Sequence, residues 1–403
     1  MSLDRPEQAR LRVCVYYPWL YLTSGAERTI LEFARRSRHQ VTILTNHYQP
    51  DVVYPEMREC DVRVLSTVPV ERSFTAVGAA AWRILTQRVD FAEFDALLVV
   101  CEGLGDLMVV RDPGVPTYCL CLTPLRIVFD PVYREVHLAK RNLAYRLAVA
   151  MFGRAFAVVD RLAWRRYRRV FAISREVERR IMAGRLAPPS RLEVLHPGID
   201  MARHQPSQVR EKIFFVPGRI MWTKNLELAI GAFQLFLSRV SDAREWRLDI
   251  AGIVDRKSEP YLARLRELAA GSTQIVFHIH PSDAAIDNLY QRCFATLFTA
   301  YNEDWGLVVI EAMACGKPVV AVDRGGPREI IEPGRGGVLT APTFEAFALE
   351  MHRLATDADY YRSLASSAPA SAARFGWDRF VTRLDQAIAG SSSTGSSESV
   401  AAS

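Results

Sequence analysis

Short apolar runs alternate with longer segments that have apolar residues at helical spacing along most of the chain. The runs are rich in Val, Ile and Leu at nearly every position, which is typical of strands buried on both faces of a parallel sheet. The alternation predicts an α/β fold. We predict strands at residues 11–16, 41–45, 62–65, 96–101, 117–122, 170–173, 192–195, 212–217, 246–251, 274–278, 295–299 and 319–322.

The length and the restart of the pattern near residue 212 predict two domains. A chain of 403 residues is longer than one typical hydrophobic core. We predict Rossmann-like domains at residues 1–200 and 201–375, with the segment 201–210 as a linker. An amphipathic helix follows at residues 376–389, and the Ser- and Gly-rich tail 390–403 is predicted to be disordered.

Composition restricts the class of protein. A hydrophobic content of 49% and a charged content of 24% are typical of a globular protein. The seven cysteines lack metal-type spacing, so we predict reduced, buried thiols and no metal site. The first residues lack the apolar core of a signal peptide, and no apolar run is long enough to cross a bilayer. These features predict a cytoplasmic protein.

The segment 301–322 combines acidic residues with the start of an apolar helix. Glu303 precedes a helix that we predict to begin near Gly306, and Glu311 lies about one turn inside it. Free backbone N–H groups at the helix N-terminus favour an anion, and carboxylates bind hydroxyls, so the segment suits a nucleotide sugar. Alternatively, Glu303 is an ordinary N-terminal charge and Glu311 a solvated residue. The apolar neighbours of Glu311 speak against solvation.

A second group of residues follows the strand at 212–217. Gly218 permits close backbone approach, and Arg219 and Lys224 flank the loop before the next helix. Two cations in such a loop can hold a diphosphate with charge-assisted hydrogen bonds. The alternative is a pair of ordinary surface cations.

The first domain has weaker candidates at its own strand ends. Gly25 lies between the first strand and the first helix, but a single glycine there is usually only a turn. Arg126 follows the strand at 117–122, at the edge where open α/β sheets bind ligands. It is a candidate acceptor contact or, alternatively, a surface salt-bridge partner.

Arginines interrupt the apolar helices predicted between residues 134 and 169. Basic residues interleaved with aromatic ones can seat a helix in an anionic membrane surface, which would give peripheral membrane contact. They can equally be snorkelling side chains on the outer face of core helices. No nucleic-acid-binding motif accompanies them, so we predict no nucleic-acid partner.

Four segments together resemble the retaining glycosyltransferases of family four, in particular mannosyl-, rhamnosyl- and fucosyl-type transferases of glycan assembly. That family has the GT-B fold, in which two Rossmann-like domains face each other across a cleft and the last helix crosses back to the N-terminal domain. The resemblance covers nearly the whole chain. The segments are Gly25 to Arg28, the stretch with Arg219 and Lys224, Glu303 to Glu311, and the stretch GGPREII that begins at Gly325.

The resemblance implies a role for each matched residue. Arg219 and Lys224 would neutralise the donor diphosphate, and Gly25 would let the first loop approach it. Glu303 would contact the sugar hydroxyls, and Glu311 would bind the ribose. The backbone at 305–307, which is Trp305, Gly306 and Leu307, would support sugar and phosphate.

The resemblance also implies a reaction that needs no metal and no cofactor beyond the nucleoside-diphosphate sugar. Arginine, lysine and a helix N-terminus would stabilise the leaving diphosphate. The acceptor hydroxyl would attack from the same face, so that configuration is retained without a nucleophilic side chain. A covalent intermediate on Glu303 is the alternative. The acceptor would be a glycan, a lipid-linked glycan or a small natural product.

Leu122 departs from the family pattern. In related transferases a His usually precedes Thr-Pro and contacts the hydroxyl on carbon six of the donor sugar. Leucine cannot hydrogen-bond, so a buried hydroxyl facing it would cost roughly 1–3 kcal/mol. This predicts a 6-deoxy donor, unless the loop is shifted or the enzyme ignores that hydroxyl. A catalytically silent GT-B scaffold and a sugar-nucleotide epimerase remain alternative functions.

Overall fold

The computed structural model describes residues 10–69, 74–139 and 141–390 of the chain. The chain divides into two compact units, Met1–Gly198 with Trp377–Ser403 and Ile199–Gly376, which we call unit 1 and unit 2. Each has one main sheet, and the strand pairs in both are parallel. The predicted α/β class with two Rossmann-like parts is confirmed. Of the predicted tail, residues 391–403 lie outside the described residues, and Gly390 is the last residue of a helix.

Unit 1 has a seven-stranded sheet in the order β5-β3-β1-β6-β7-β8-β9, and β2 pairs separately with β4. The order of the chain reverses between β1 and β6, and every residue of β6 and β7 is buried. The strands are β1 Arg12–Tyr16, β2 Trp19–Leu20, β3 Gln40–Thr45, β4 His47–Tyr48, β5 Asp61–Val64, β6 Ala96–Cys101, β7 Thr117–Cys121, β8 Arg169–Ala172 and β9 Leu192–Val194.

Within the described residues of unit 1, six helices connect these strands. They are α1 Gly25–Arg36, α2 Phe74–Thr86, α3 Arg126–Phe129, α4 Pro131–Leu138, α5 Leu143–Trp164 and α6 Arg175–Ala183, with 3₁₀ helices at Pro55–Glu59, Leu104–Val109 and Pro189–Arg191. The Ser24 side chain accepts a hydrogen bond from Ala26 N and caps α1. In α1 the buried Glu27 lies three residues after this serine, which is the spacing of a capping box.

Unit 2 has a six-stranded sheet in the order β12-β11-β10-β13-β14-β15. An aromatic cluster fills its core, in which the rings of Phe214 and Trp246 stack with centroids 5.1 Å apart. The elements are β10 Ile213–Pro217, α7 Leu226–Leu237, β11 Arg247–Gly252, α8 Glu259–Leu268, β12 Ile275–Ile279, α9 Asp283–Arg292, β13 Ala295–Phe298, α10 Leu307–Ala314, β14 Val319–Val322, α11 Pro327–Ile330, β15 Gly337–Thr340, α12 Phe344–Thr356 and α13 Ala358–Ala372, with 3₁₀ helices at Trp222–Lys224 and Ala243–Glu245.

The segment 201–210, expected to be a linker, packs within unit 2. The buried Lys317 ammonium donates to the carbonyl oxygens of Ser207, at 3.4 Å, and Val209. Ser207 N donates to Cys315 O at 3.1 Å. A buried ammonium needs acceptors, and burial lowers the pKa of Lys317. The carbonyl groups of the segment supply these acceptors, so it is fixed to the unit that follows it.

The last helix, α14 Trp377–Gly390, belongs to unit 1. Phe380, Leu384 and Ile388 are buried along one face of this helix. Its Asp385 carboxylate accepts hydrogen bonds from Ser37 Oγ at 2.6 Å and Arg38 N at 2.9 Å, which ties the helix to the end of α1. Unit 1 is therefore completed by a segment that follows unit 2 in the chain.

We expect Leu384→Ala to lower the free energy of unfolding of unit 1 by about 2–5 kcal/mol, because truncation of a fully buried leucine loses apolar contacts and leaves a cavity. Urea unfolding measures this change. Gln386→Ala, at an exposed position two residues further along α14, is the matched control and should change it by less than about 0.5 kcal/mol. Equal effects at both positions would contradict the packing of α14.

A polar cluster lies in the core of unit 1. Donor atoms of Cys101, Asp106 and Cys119 lie within 4.8 Å of one another, which the cysteine spacing did not indicate. The Asp106 carboxylate accepts hydrogen bonds from Tyr167 Oη at 2.5 Å and Cys101 Sγ at 2.6 Å. Asp160 is also buried, and its Oδ1 has no hydrogen-bond partner among the described residues. Burial raises the pKa of both carboxyl groups well above 3.8.

We expect Asp160→Asn to flatten the dependence of stability on pH. The folded state holds a proton that the unfolded state releases near pH 3.8, so the stabilisation is complete below that pH and is lost as pH rises toward the folded pKa. Asparagine keeps the shape without an ionisable group. The melting temperature of the parent should fall between about pH 5 and 8 more steeply than that of the variant.

Asp51→Asn is the control for this comparison, because 87% of the Asp51 side chain is exposed. It should leave the slope of melting temperature against pH unchanged. An Asp160→Asn protein with the slope of the parent would show that Asp160 is ionised in the folded core.

Candidate functional site

The candidate site of unit 2 lies at the carboxyl ends of three adjacent strands. β10 and β13 are neighbours in the sheet although two further strands, β11 and β12, lie between them in the chain, so the chain order reverses there. Ligands of open α/β sheets bind at such a switch point, beyond the carboxyl ends of the strands. The loops that begin at Gly218, Thr299 and Asp323 follow β10, β13 and β14 and meet at this edge.

An ion pair joins the first two loops. Lys224 Nζ donates to Glu303 Oε2 at 2.7 Å, and the two side chains remain 19% and 24% exposed. The backbone reinforces this connection, because Thr299 Oγ1 donates to Lys224 O at 2.8 Å and Tyr301 N donates to Thr223 O at 3.1 Å. The structure thus brings together two residues that lie 79 positions apart in the sequence.

Arg219 begins the same loop, directly after Gly218. Gly218 N donates to Ala251 O at 3.0 Å, which holds the start of the loop against β11. The Arg219 side chain is half-buried and forms no ion pair with any residue of the described part of the chain. A half-buried guanidinium with all its donors available is suited to an anionic ligand with several oxygens.

The second loop turns into α10 at Gly306. The φ angle of this glycine is +120°, which L side chains rarely adopt, so the turn requires glycine. Gly306 directly precedes the first helical residue, Leu307. The first N–H groups of α10 have no partner within the helix and attract negative charge to this end.

The third loop packs its backbone onto the second. Gly326 N donates to Glu303 O at 3.0 Å. A Cβ atom on Gly325 would lie 2.3 Å from Glu303 O, and one on Gly326 would lie 1.9 Å from Trp305 O. Neither distance is sterically possible, so both glycines are needed for the loop that carries Glu303 to take this position.

Trp305 and Glu311 differ in what they can offer a ligand. The Trp305 side chain is buried, and its ring lies 5.2 Å from that of Phe375, so only its backbone is available. The half-buried Glu311 accepts a hydrogen bond from Tyr290 Oη at 2.8 Å. Burial and the nearby carboxylate raise the pKa of Tyr290, which keeps the hydroxyl protonated. Tyr290 therefore fixes one Glu311 oxygen and the direction of the carboxylate.

The predicted residues of unit 1 are spread over two strand ends. Gly25 is exposed and forms the first residue of α1. Leu122 is 7% exposed at the end of β7. Arg126 Nη2 donates to the buried Asp130 carboxylate at 2.8 Å. An acceptor that bound Arg126 would have to share this guanidinium with Asp130.

Two residues that shape the site were missing from the sequence prediction. Tyr290 lies on α9, 21 residues before its partner Glu311, and Thr299 ends the strand region before the loop of Glu303. Neither belongs to a short motif, and each acts through a contact between separate elements. The apolar surroundings of Glu311 were the available signal, because they indicated that this carboxylate needs a partner.

Among the described helices, none is both long and apolar enough to cross a membrane. Helix α4 is only eight residues long, and the longer α5 is interrupted by three arginines and one aspartate.

Comparisons with known proteins agree with this architecture. A family model described as glycosyl transferase 4-like domain matches residues 24–198, and one described as glycosyl transferases group 1 matches residues 200–370. The chain is 32% identical over 212 residues to a D-inositol 3-phosphate glycosyltransferase of Streptomyces bingchenggensis. That alignment covers 48% of this chain and 46% of the relative, so the match spans about half of the length of each.

Solved structures of low sequence identity share the fold. Sucrose-phosphate synthase from Thermosynechococcus elongatus has a TM-score of 0.74 at 16% identity, with 96% of this chain and 100% of that chain covered. HepE from Anabaena, solved with UDP and glucose, has a TM-score of 0.72 at 17% identity, with 94% and 99% covered. With two matching family models that together span most of its length, the chain belongs to the family-four type of glycosyltransferases with the GT-B fold.

Proposed function

We propose that the protein transfers a hexose from a nucleoside-diphosphate sugar to an acceptor hydroxyl, with retention of configuration and without a metal ion. The ion pair between Lys224 and Glu303, beside the uncommitted Arg219, is the observation that carries this proposal. Lys224 and Arg219 lie in the loop after β10, and Glu303 lies in the loop that leads into α10, so two cations and one carboxylate lie at one edge of the sheet. These are the groups that a sugar diphosphate requires.

Charge at the leaving group determines the role of the cations. When the bond between the sugar and the diphosphate breaks, negative charge develops on the diphosphate oxygens. Arg219, Lys224 and the first N–H groups of α10 stabilise that charge, and they need no reorganisation because the loops are already fixed. The positive charge that a divalent cation supplies in other transferases then comes from the protein.

Glu303 links the cations to the sugar. Its Oε2 accepts a hydrogen bond from the Lys224 ammonium, while hydroxyls of the donor sugar bind to the same carboxylate. The acceptor hydroxyl attacks the anomeric carbon on the face from which the diphosphate leaves, and a departing phosphate oxygen takes its proton. A carboxylate already engaged by an ammonium is a weakened nucleophile, which favours this route over a covalent intermediate.

Glu311 binds the ribose in this proposal. Tyr290 occupies Glu311 Oε2 and holds the side chain in one direction. Oε1 then faces the two ribose hydroxyls, which are donors of the right kind for a carboxylate.

Only the reaction class is taken from the relatives. The name of the Streptomyces relative indicates transfer to an inositol phosphate in that protein. Because the alignment covers about half of it, we propose for this chain an acceptor defined by chemistry: a hydroxyl of a glycan, of a lipid-linked glycan or of a small natural product. Unit 1 carries the acceptor in this proposal, with Gly25 and Arg126 at its strand ends.

We expect Arg219→Ala and Lys224→Met each to lower kcat for transfer by about 10²–10³-fold, because each removes a donor aimed at the developing negative charge. Turnover of nucleoside-diphosphate sugars by the purified variants measures this. Arg239→Ala removes an exposed cation of the same unit away from these loops and should keep the kcat of the parent.

The double variant Lys224→Met with Glu303→Gln distinguishes two causes of lost transfer: the missing ammonium, and damage to the fold by an unpaired carboxylate. It removes the ammonium without leaving an unpaired carboxylate, so the fold is kept while transfer stays low. Full transfer in both cation variants would overturn the proposal. If an epimerised donor were the only product, the protein would be a sugar-nucleotide epimerase and not a transferase. If the parent consumed no donor, this result would support a catalytically silent scaffold.

We also propose that the donor is a 6-deoxy sugar. Leu122 is buried and offers no hydrogen bond, and the neighbouring Thr123 hydroxyl is already bonded to Arg180 Nη1 at 3.1 Å and to Pro124 O at 3.2 Å. A hydroxyl on carbon six would therefore lack a partner there, at a cost of roughly 1–3 kcal/mol.

We expect kcat/KM to be higher for a 6-deoxy donor than for the matched 6-hydroxy donor by about 5- to 150-fold, which corresponds to that cost. Competition between the two donors in one reaction measures the ratio directly. Leu122→His supplies a hydrogen-bonding group and should reduce or reverse the preference. A clear preference of the parent for the 6-hydroxy donor would contradict the proposal while leaving the reaction class intact.

A further inference from the structure

The longest helix of unit 1 exposes an apolar ridge. On α5, Leu143, Leu147, Met151, Val158 and Leu162 each expose 48–69% of their surface. Their spacing of four or seven residues places them within an arc of about 100° on one side of the helix. The opposite side packs into the unit. A contiguous strip of large exposed apolar side chains indicates an interaction surface.

A groove with basic side chains lies beside the ridge. It has a volume of about 700 Å³ and runs between α3, α4, α5 and the end of α6. Val128, Val149 and Ala157 line it with apolar side chains, and Arg134 and Arg146 line it with basic ones. The groove therefore combines a surface for hydrocarbon with a surface for anions. Its further arginines are Arg154 and Arg161.

The described part of unit 1 does not neutralise these arginines. Arg134, Arg146 and Arg154 form no ion pair with a residue of the described part of the chain. The Nε of Arg161 donates to a backbone carbonyl, Gly184 O, at 2.9 Å. Between residues 131 and 168 the sequence has nine basic residues (134, 140, 141, 146, 154, 161, 165, 166 and 168) and two acidic ones (135 and 160), and the second acid is buried.

We propose that the ridge and the groove form a docking surface for an anionic phospholipid bilayer. The ridge enters the boundary between headgroups and acyl chains, and Arg134, Arg146 and Arg154 bind lipid phosphates at the level of the groove. The positive charge of this surface favours an anionic bilayer over the other possible partners. Two copies of the chain joined through the same face would bring arginines against arginines, which opposes a symmetric dimer. A nucleic acid would leave the apolar ridge in water.

The experiment is co-sedimentation of the full chain with vesicles. We expect binding to vesicles of phosphatidylcholine mixed equally with phosphatidylglycerol, and at least tenfold weaker binding to phosphatidylcholine alone. Arg146→Ala with Arg154→Ala should weaken binding to the anionic vesicles by about 25-fold, since each arginine contributes on the order of fivefold. Leu147→Ser with Met151→Ser should weaken it as well, because the ridge loses its apolar side chains.

Arg239→Ala with Arg256→Ala is the matched control. It removes the same charge from exposed positions of unit 2 and should keep the binding of the parent. Circular dichroism checks that all variants are folded. The assay requires no turnover, so its outcome is independent of the proposed donor chemistry.

Several results would overturn this proposal. They are equal binding to neutral and anionic vesicles, no binding to either, and an effect of the control pair as large as that of Arg146 and Arg154. A dimer in sedimentation velocity that Met151→Ser dissociates, together with absent vesicle binding, would assign the ridge to a second copy. Retention of RNA that the arginine variants lose, without vesicle binding, would assign the arginines to nucleic acid.

Discussion

The contact between Lys224 and Glu303 is the constraint on which the donor edge of unit 2 depends. It joins the loop after β10 to the loop after β13, and the neighbouring hydrogen bond from the Thr299 hydroxyl to Lys224 O holds the two loops together. Gly325 and Gly326 then allow a third loop to press against the one that carries Glu303. Positive charge near α10 is thereby fixed before any ligand arrives. Pre-organisation of this kind is what makes electrostatic stabilisation effective.

The edge of unit 1 is organised by a different network. The buried Asp130 carboxylate forms ion pairs with Arg126 and, at 3.1 Å, with Arg180. Arg180 also donates a hydrogen bond to the hydroxyl of Thr123, which follows Leu122. A carboxylate with no exposed surface requires such partners. Arg126 and Arg180 therefore hold the loops at this edge, whereas Arg219 in unit 2 forms no ion pair with a described residue. This contrast is consistent with anion binding at the edge of unit 2 and a more neutral ligand at this edge of unit 1.

Much of the fold follows from the sequence because the signals are local. Buried parallel strands such as β6 and β14 are continuous apolar runs, and their predicted bounds agree with the structure. Other elements lack such signals. Helix α2 contains Thr, Val and Gly, which are weak helix formers, and β15 begins at a glycine, so both were missed. Helix α13 continues through Pro369, although a proline inside a helix removes one backbone hydrogen bond and usually indicates a helix end.

The candidate site was predictable to a similar degree. Arg219, Lys224 and Glu303 stand at strand ends, and their types indicated an anion. The contact between Lys224 and Glu303 depends on the strand order, which the sequence does not contain, and the same holds for the contact between Tyr290 and Glu311.

Helix α14 has a consequence for how the protein is made. Its side chains complete unit 1, yet a ribosome synthesises them only after all of unit 2. Until then the nascent first half presents the apolar face that later receives Phe380, Leu384 and Ile388. Translation thus leaves this half incomplete for as long as unit 2 takes to emerge, and a chain terminated early would offer chaperones and proteases an uncovered surface. The position of one short helix in the chain makes the completion of unit 1 depend on synthesis of the chain through residue 390.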